Sequence, residues 1–142
     1  MSKKLRENTA IQTHILILQN IISRMASNSA NCKAWALTLI AAILVLLIDK
    51  SRLSLFWISY IPLGFLWILD AYYFGLENFF RSCHDEFLIK LDSKKFDFSS
   101  VYRVPKPSEN IKATLKAFTS FSTSPFYLLL SVTIFLTVCF IE

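Results

Sequence analysis

The sequence predicts an all-α integral membrane protein. It reads as a helical hairpin of two spans plus a third C-terminal span, with helical extensions on the cytosolic side. Three observations predict this. The 142 residues are 54% hydrophobic and 15% aromatic, with a mean hydropathy of +0.48, which is too apolar for a typical soluble domain of this size. Only two glycines occur, too few for a chain built on tight β-turns. The apolar residues are also gathered into three blocks, residues 34–48, 53–69 and 125–141, as membrane spans require.

The expected organisation follows in chain order. Residues 1–33 form an N-terminal cytosolic or interfacial amphipathic helix, 34–76 a transmembrane hairpin, 77–124 a cytosolic helical region with an extended segment, and 125–142 a third transmembrane helix. The charged start and the apolar run 15–22, interrupted by Gln19 and Asn20, do not read as a cleavable signal, so the first span is expected to direct insertion. Ile11, Ile15, Leu18, Ile22 and Met25 recur at spacings of three and four, one face of a helix that either packs on a partner helix or lies at the interface. Residues 25–35 (MASNSANCKAW) contain neither glycine nor proline. If the helix continues through them, Asn20, Arg24, Ser27, Asn28 and Asn31 line up as a polar stripe suited to a helix seam or a polar lining. Serine and asparagine also compete with helix backbone for hydrogen bonds, so a turn is the alternative.

Residues 34–48 cover only about 22 Å of bilayer, and reach span length with Lys33 snorkelling. The four-residue connection 49–52 makes the next span an antiparallel neighbour. That span carries Pro62 and Gly64, where a kink or local widening is expected, with Ser59 and Tyr60 able to satisfy freed carbonyls. It is uncharged until Asp70. A carboxylate in bare hydrocarbon costs about 3 kcal/mol on insertion scales, so Asp70 must face protein, water or headgroups. It lies near Trp67 and an aromatic belt of Tyr72, Tyr73 and Phe74, which places it at the inner surface, where Arg24 or Lys33 is available as a counter-charge. Glu77 follows seven residues later, about 10 Å along a helix axis, and is spaced to pair with Arg81.

Beyond the second span the helical pattern continues to about residue 92, and residues 96–104 lose it. Ser108 then caps an expected short amphipathic helix carrying Ile111, Leu115 and Phe118, and the series 122–125 (STSP) opens the third span. Five basic residues precede the first span (Lys3, Lys4, Arg6, Arg24, Lys33) and two lie in the short loop (Lys50, Arg52). Eight follow the second span (Arg81, Lys90, Lys94, Lys95, Arg103, Lys106, Lys112, Lys116). This asymmetry predicts a cytosolic N-terminus and an extracytosolic C-terminus.

No catalytic constellation is visible. His14 and His84 are the only histidines, and Cys83, His84 and Asp85, adjacent on a helix, point in different directions. The motifs for phosphate loops, dinucleotides, zinc proteases and serine hydrolases do not occur. The three cysteines are distant and odd in number. The expectation is a protein that is not an enzyme and carries no cofactor or metal. Direct nucleic-acid binding is not expected either, because Glu77, Asp85, Glu86, Asp92, Asp97 and Glu109 dilute the basic loop.

Two strings, residues 21–35 (IISRMASNSANCKAW) leading into a span and 69–81 (LDAYYFGLENFFR) leaving the next, resemble a group of small bacterial hairpin membrane proteins. That group is associated with anti-phage defence loci, as the membrane effectors of retron-like and cyclic-nucleotide-type systems. The resemblance covers roughly residues 10–92. It implies a multi-pass inner-membrane effector, held silent by a cytosolic regulatory complex. When triggered, it assembles with copies of itself in the lipid bilayer and permeabilises or depolarises it, stopping the infected cell. The alternative is a non-conducting anchor or adaptor whose cytosolic helices bind a protein or nucleic-acid complex. The residues expected to form the pore or polar lock are Asp70, Arg24, Ser27, Asn28, Asn31, Lys33, Glu77 and Arg81.

Overall fold

The computed structural model describes residues 8–50, 53–92, 101, 103–106, 120 and 123–141. Its elements are helix α1 (Thr9–Asp49), a 3₁₀ segment (Leu53–Ser59), helix α2 (Tyr60–Asp92) and helix α3 (Ser124–Ile141). Among the described residues there is no strand.

Helix α1 runs unbroken for 41 residues, roughly 61 Å. Asn8 starts it: its side-chain oxygen accepts from the Ala10 amide at 2.9 Å, and its carbonyl accepts from the Gln12 amide at 3.1 Å. Residues 25–35 are helix, not turn. No proline or glycine breaks them, and packing on α2 outweighs the local competition from serine and asparagine. Helix α2 is likewise continuous to Asp92. The boundaries expected at 33/34 and 76/77 therefore fall inside single helices, each of which runs through both segments expected on its two sides.

The two rods are antiparallel. Ile11 packs against Phe87 and Leu91, Ser29 meets Asp70, and Ala36, Ile40 and Leu44 share a core with Leu66 and Leu63. On α2 and the 3₁₀ turn before it, the buried positions besides Ala71 are Ser59, Leu66, Phe80 and Phe87, and Leu63, Asp70, Glu77 and Leu91. All fall on two series of seven, the seam of a two-stranded coiled coil. On α1, Ile11, Leu18, Met25 and Cys32 also repeat at sevens, joined by His14, Ser29, Ala36, Ile40 and Leu44.

Two apolar cores close this seam. One unites Ala36, Ile40 and Leu44 of α1, Leu63 and Leu66 of α2, and Tyr127, Leu130 and Ile134 of α3. The other, at the far end of the hairpin, unites Ile11, Phe87, Leu91 and Val101. Helix α3 begins with Pro125 in its first turn, where a missing amide hydrogen costs nothing. Tyr127 bonds back to Leu66, and Tyr60 donates to the Ser131 carbonyl at 3.2 Å. These contacts run α3 toward the same end as the hairpin turn.

The expected distortion near Pro62 takes a different form. Helix α2 starts at Tyr60, which puts Pro62 in its first turn, and the preceding residues wind tighter as 3₁₀ helix rather than widening. Tyr60 spends its hydroxyl on α3, and the Ser59 hydroxyl, fully buried, has no partner among the described residues. Neither satisfies a freed carbonyl. The extended segment expected over 96–104 is described only at 101 and 103–104, and the amphipathic helix expected after Ser108 lies outside the described residues.

Among the described residues, two helices are long and apolar enough to cross a membrane. Their best 18-residue windows have mean hydropathies of 2.1 and 1.4, and only 17% and 28% of those windows are buried inside the protein. Trp35, Val45 and Leu46 of α1, Ile61 and Phe65 of α2, and Leu129 and Phe140 of α3 all face outward. Helix α3 is shorter but apolar on every side.

Candidate functional site

The seam positions between the two apolar cores are the ones a coiled coil fills with leucine or isoleucine. Here they carry Ser29 on α1 and Asp70 and Glu77 on α2, all buried. Asp70 is fully inaccessible. Ionised and alone at such a site it would cost several kcal/mol. It is not alone. The Lys33 ammonium lies 2.7 Å from Oδ2 and donates to Oδ1 at 2.9 Å. Ser29 Oγ also donates to Oδ1, and Lys33 bonds to that hydroxyl at 3.2 Å. Ser29 and Lys33 stand four apart, so one face of one α1 turn grips the carboxylate.

Helix α3 completes the site. The Tyr127 hydroxyl donates to the Leu66 carbonyl at 3.2 Å, one helical turn before Asp70. Trp67 stacks parallel on the Tyr127 ring, centroids 5.8 Å apart. All three helices thus meet at one buried carboxylate. Lys33 keeps about a quarter of its side chain exposed, so its charge stays in reach of the surface while Asp70 does not.

Of the residues expected to act together, Lys33 and Asp70 do. Arg24 does not: it is exposed, and five residues before Ser29 it stands about 140° around the helix from the grip. Ser27, Asn31 and Asn20 are also exposed and Asn28 is half-buried, so the polar stripe exists as helix but faces away from the α1–α2 seam. Glu77 and Arg81 pair within α2, at 2.7 Å through one terminal nitrogen and 2.8 Å through Nε, and stay one heptad away from Asp70. Ser29 and Tyr127 were not singled out from sequence. Extending the buried series through Met25 would have reached Ser29; nothing in the local sequence tells Tyr127 which carbonyl it will find.

Beyond Glu77 the seam loosens into an open cleft of about 490 Å³ bordered by Gln19, Ile22, Ser23, Arg81, His84 and Asp85. His84 Nδ1 lies 3.3 Å from the Asp85 carboxylate. The neighbouring Cys83 thiol is pushed up from its ordinary pKa by burial first and by Glu86 second, with Lys90 opposing. The thiolate needed for nucleophilic work is thereby disfavoured. No group of three or more His, Cys, Asp or Glu side chains among the described residues could hold a metal ion.

Compared with protein-family models, curated proteins and solved structures, the chain matched none.

Proposed function

We propose that this chain is a membrane effector of bacterial anti-phage defence, which gathers with copies of itself in the inner membrane and depolarises it. The observation that carries this reading is how its polar residues divide where the helices enter the apolar zone. Asp70, Lys33 and Ser29 are locked together inside one molecule, while Asn20, Arg24, Ser27 and Asn31 are presented on the outer face of α1. Polar side chains at the mouth of a span gain from a partner helix or a water-filled lumen, because lipid offers them no hydrogen bonds. The exposed apolar windows of α1 and α2 supply the lipid-facing surface of such an assembly. The basic residues at the N-terminal side support an orientation with both arms in the cytosol. In this reading the Lys33–Asp70 lock holds the resting arrangement, and a cytosolic regulatory complex acts on the arms.

The reading is tested in living bacteria with a potential-sensitive dye. Induced expression is expected to collapse the membrane potential before growth stops. The purified protein is expected to conduct in planar bilayers. Growth arrest with an intact potential, together with silent bilayers, would overturn the permeabilising activity and leave the anchor or adaptor role.

A further inference from the structure

The open cleft beyond Glu77 plays no part in the lock or in the lipid-facing surfaces. Its walls are one face of each rod: Gln19, Ile22, Ser23 and Ala26 of α1, spaced at threes and fours, and Arg81, His84 and Asp85 of α2. Its volume of about 490 Å³ lies in the range of small-molecule sites, about 300–1,000 Å³. The opening has a cause. His84 stands seven residues after Glu77 and seven before Leu91, on the buried series of α2, and the α1 wall offers Ser23 and Ala26, too small to fill the seam.

His84 gives the cleft a chemical preference. Its side chain is mostly buried, and Nδ1 lies 3.3 Å from Oδ1 of Asp85. An ionised carboxylate only accepts, so a hydrogen bond there needs the proton on Nδ1 and leaves Nε2 of the neutral ring as an acceptor. Nε2 is buried and has no partner among the described residues, whereas a buried polar atom ordinarily has one. A ligand satisfies this nitrogen by donating to it, and the exposed Asp85 carboxylate takes a donor and a positive charge. An ammonium group answers both. Arg81, one turn earlier, presents the opposite charge. It spends Nε and one terminal nitrogen on Glu77, and its other terminal nitrogen can meet an anion, with Gln19 and Ser23 as neutral donors in the opposite wall.

We propose that the cleft binds the phosphoethanolamine headgroup of a membrane lipid, phosphate on Arg81 and ammonium at His84 and Asp85. The inference rests on the bilayer placement of the proposed function. The order of charges fits that placement. Leaving the apolar run, α2 reaches Arg81 first and Asp85 four residues later, about 6 Å farther out. In such a lipid the phosphate likewise lies nearer the hydrocarbon and the ammonium beyond it. The level fits as well. A hydrocarbon layer of about 30 Å takes about 20 residues of helix. Counted back from Asp49, the end of α1, it reaches Ser29, so Ala26 and Ser23 stand about 5–9 Å beyond, where headgroups begin. A phosphocholine headgroup has no N–H to give His84, and an anionic phosphoglycerol headgroup meets Asp85 as a like charge.

The test is native mass spectrometry of the full chain in detergent micelles, titrated with phosphatidylethanolamine, phosphatidylcholine or phosphatidylglycerol of the same acyl chains. Phosphatidylethanolamine is expected to bind at least about tenfold more tightly than either of the others. Asp85→Lys, at an exposed position, should reverse the preference in favour of phosphatidylglycerol. His84→Phe keeps a ring in the wall and should remove the preference over phosphatidylcholine; where it does not fold, Asp85→Lys decides. Soluble glycerophosphoethanolamine at equal concentration should not displace the lipid, whose acyl chains supply the rest of the affinity. Equal binding of all lipids by the wild-type chain, a preference for phosphatidylethanolamine that survives Asp85→Lys, or displacement by the soluble compound would each overturn the headgroup site. A chain that depolarises membranes without this preference overturns the headgroup site alone; one that does not partition into lipid overturns the proposed function with it.

Discussion

At the scale of single residues, Asp70 makes an asymmetric prediction. The carboxylate is fully buried while the lysine is partly exposed, so the two halves of the pair are not equally dependent on each other. Lys33→Met strands a buried charge and is expected to destabilise the folded chain by about 3–5 kcal/mol, the range for breaking a buried pair from one side. Asp70→Leu leaves a lysine whose flexible stem can carry its charge outward, and should cost less. The double variant removes both charges and should lie close to wild type. Unfolding midpoints in mixed detergent micelles measure all three. A double variant as unstable as Lys33→Met would mean that Asp70 is held by something other than Lys33. The sequence made Asp70 and Lys33 legible because a charge beside an apolar run demands a counter-charge within reach. It did not reveal Ser29 or Tyr127, whose roles depend on the rotational phase of one helix and the docking of another.

At the scale of elements, the seam explains which parts of the pattern could be read. Both long helices carry their buried residues at threes and fours, and that period is visible in Ile11, Leu18 and Met25 without any structure. What the period does not show is that helices begun as amphipathic arms continue without interruption into apolar spans. The polar stretch 25–35 could equally have been a turn by composition. The second span adds a case where a strong local signal has a different outcome. Pro62 does not bend a helix; it stands in the first turn of one, after a 3₁₀ lead-in. Two residues on, a Cβ built on Gly64 would meet nothing within 4 Å. Gly64→Ala is therefore expected to stabilise α2 by about 0.5–1 kcal/mol, through the lower backbone freedom of alanine in the unfolded chain. A raised unfolding midpoint checks it. A lowered midpoint in monomeric micelles would show that the space beside Gly64 is needed within the molecule. If the midpoint rises and self-association weakens, a neighbouring copy approaches α2 there.

For the whole molecule, the governing fact is that only 17% and 28% of the apolar windows of α1 and α2 are buried inside the protein. A soluble monomer rarely leaves so much contiguous apolar surface in water, and a bilayer covers it without further partners. The outward polar face of α1 is not part of that apolar surface, and the three described helices are too few to enclose a water-filled path. The proposed depolarisation would therefore require a closed ring of copies, with the α1 faces bearing Arg24, Ser27 and Asn31 turned inward toward one another or toward a lumen. Crowding the Arg24 charges around an axis costs Coulomb energy, so the ring should be stable only where water or anions screen them. Native mass spectrometry or crosslinking of the protein in lipid nanodiscs is expected to give one closed stoichiometry of several copies. Arg24→Glu should change conductance or ion preference while leaving the Lys33–Asp70 unfolding midpoint in place, because Arg24 stands away from that pair. A chain that stays monomeric in lipid at every protein concentration would remove the ring, and with it the pore, while leaving the buried lock and the two cores as the frame of a membrane anchor.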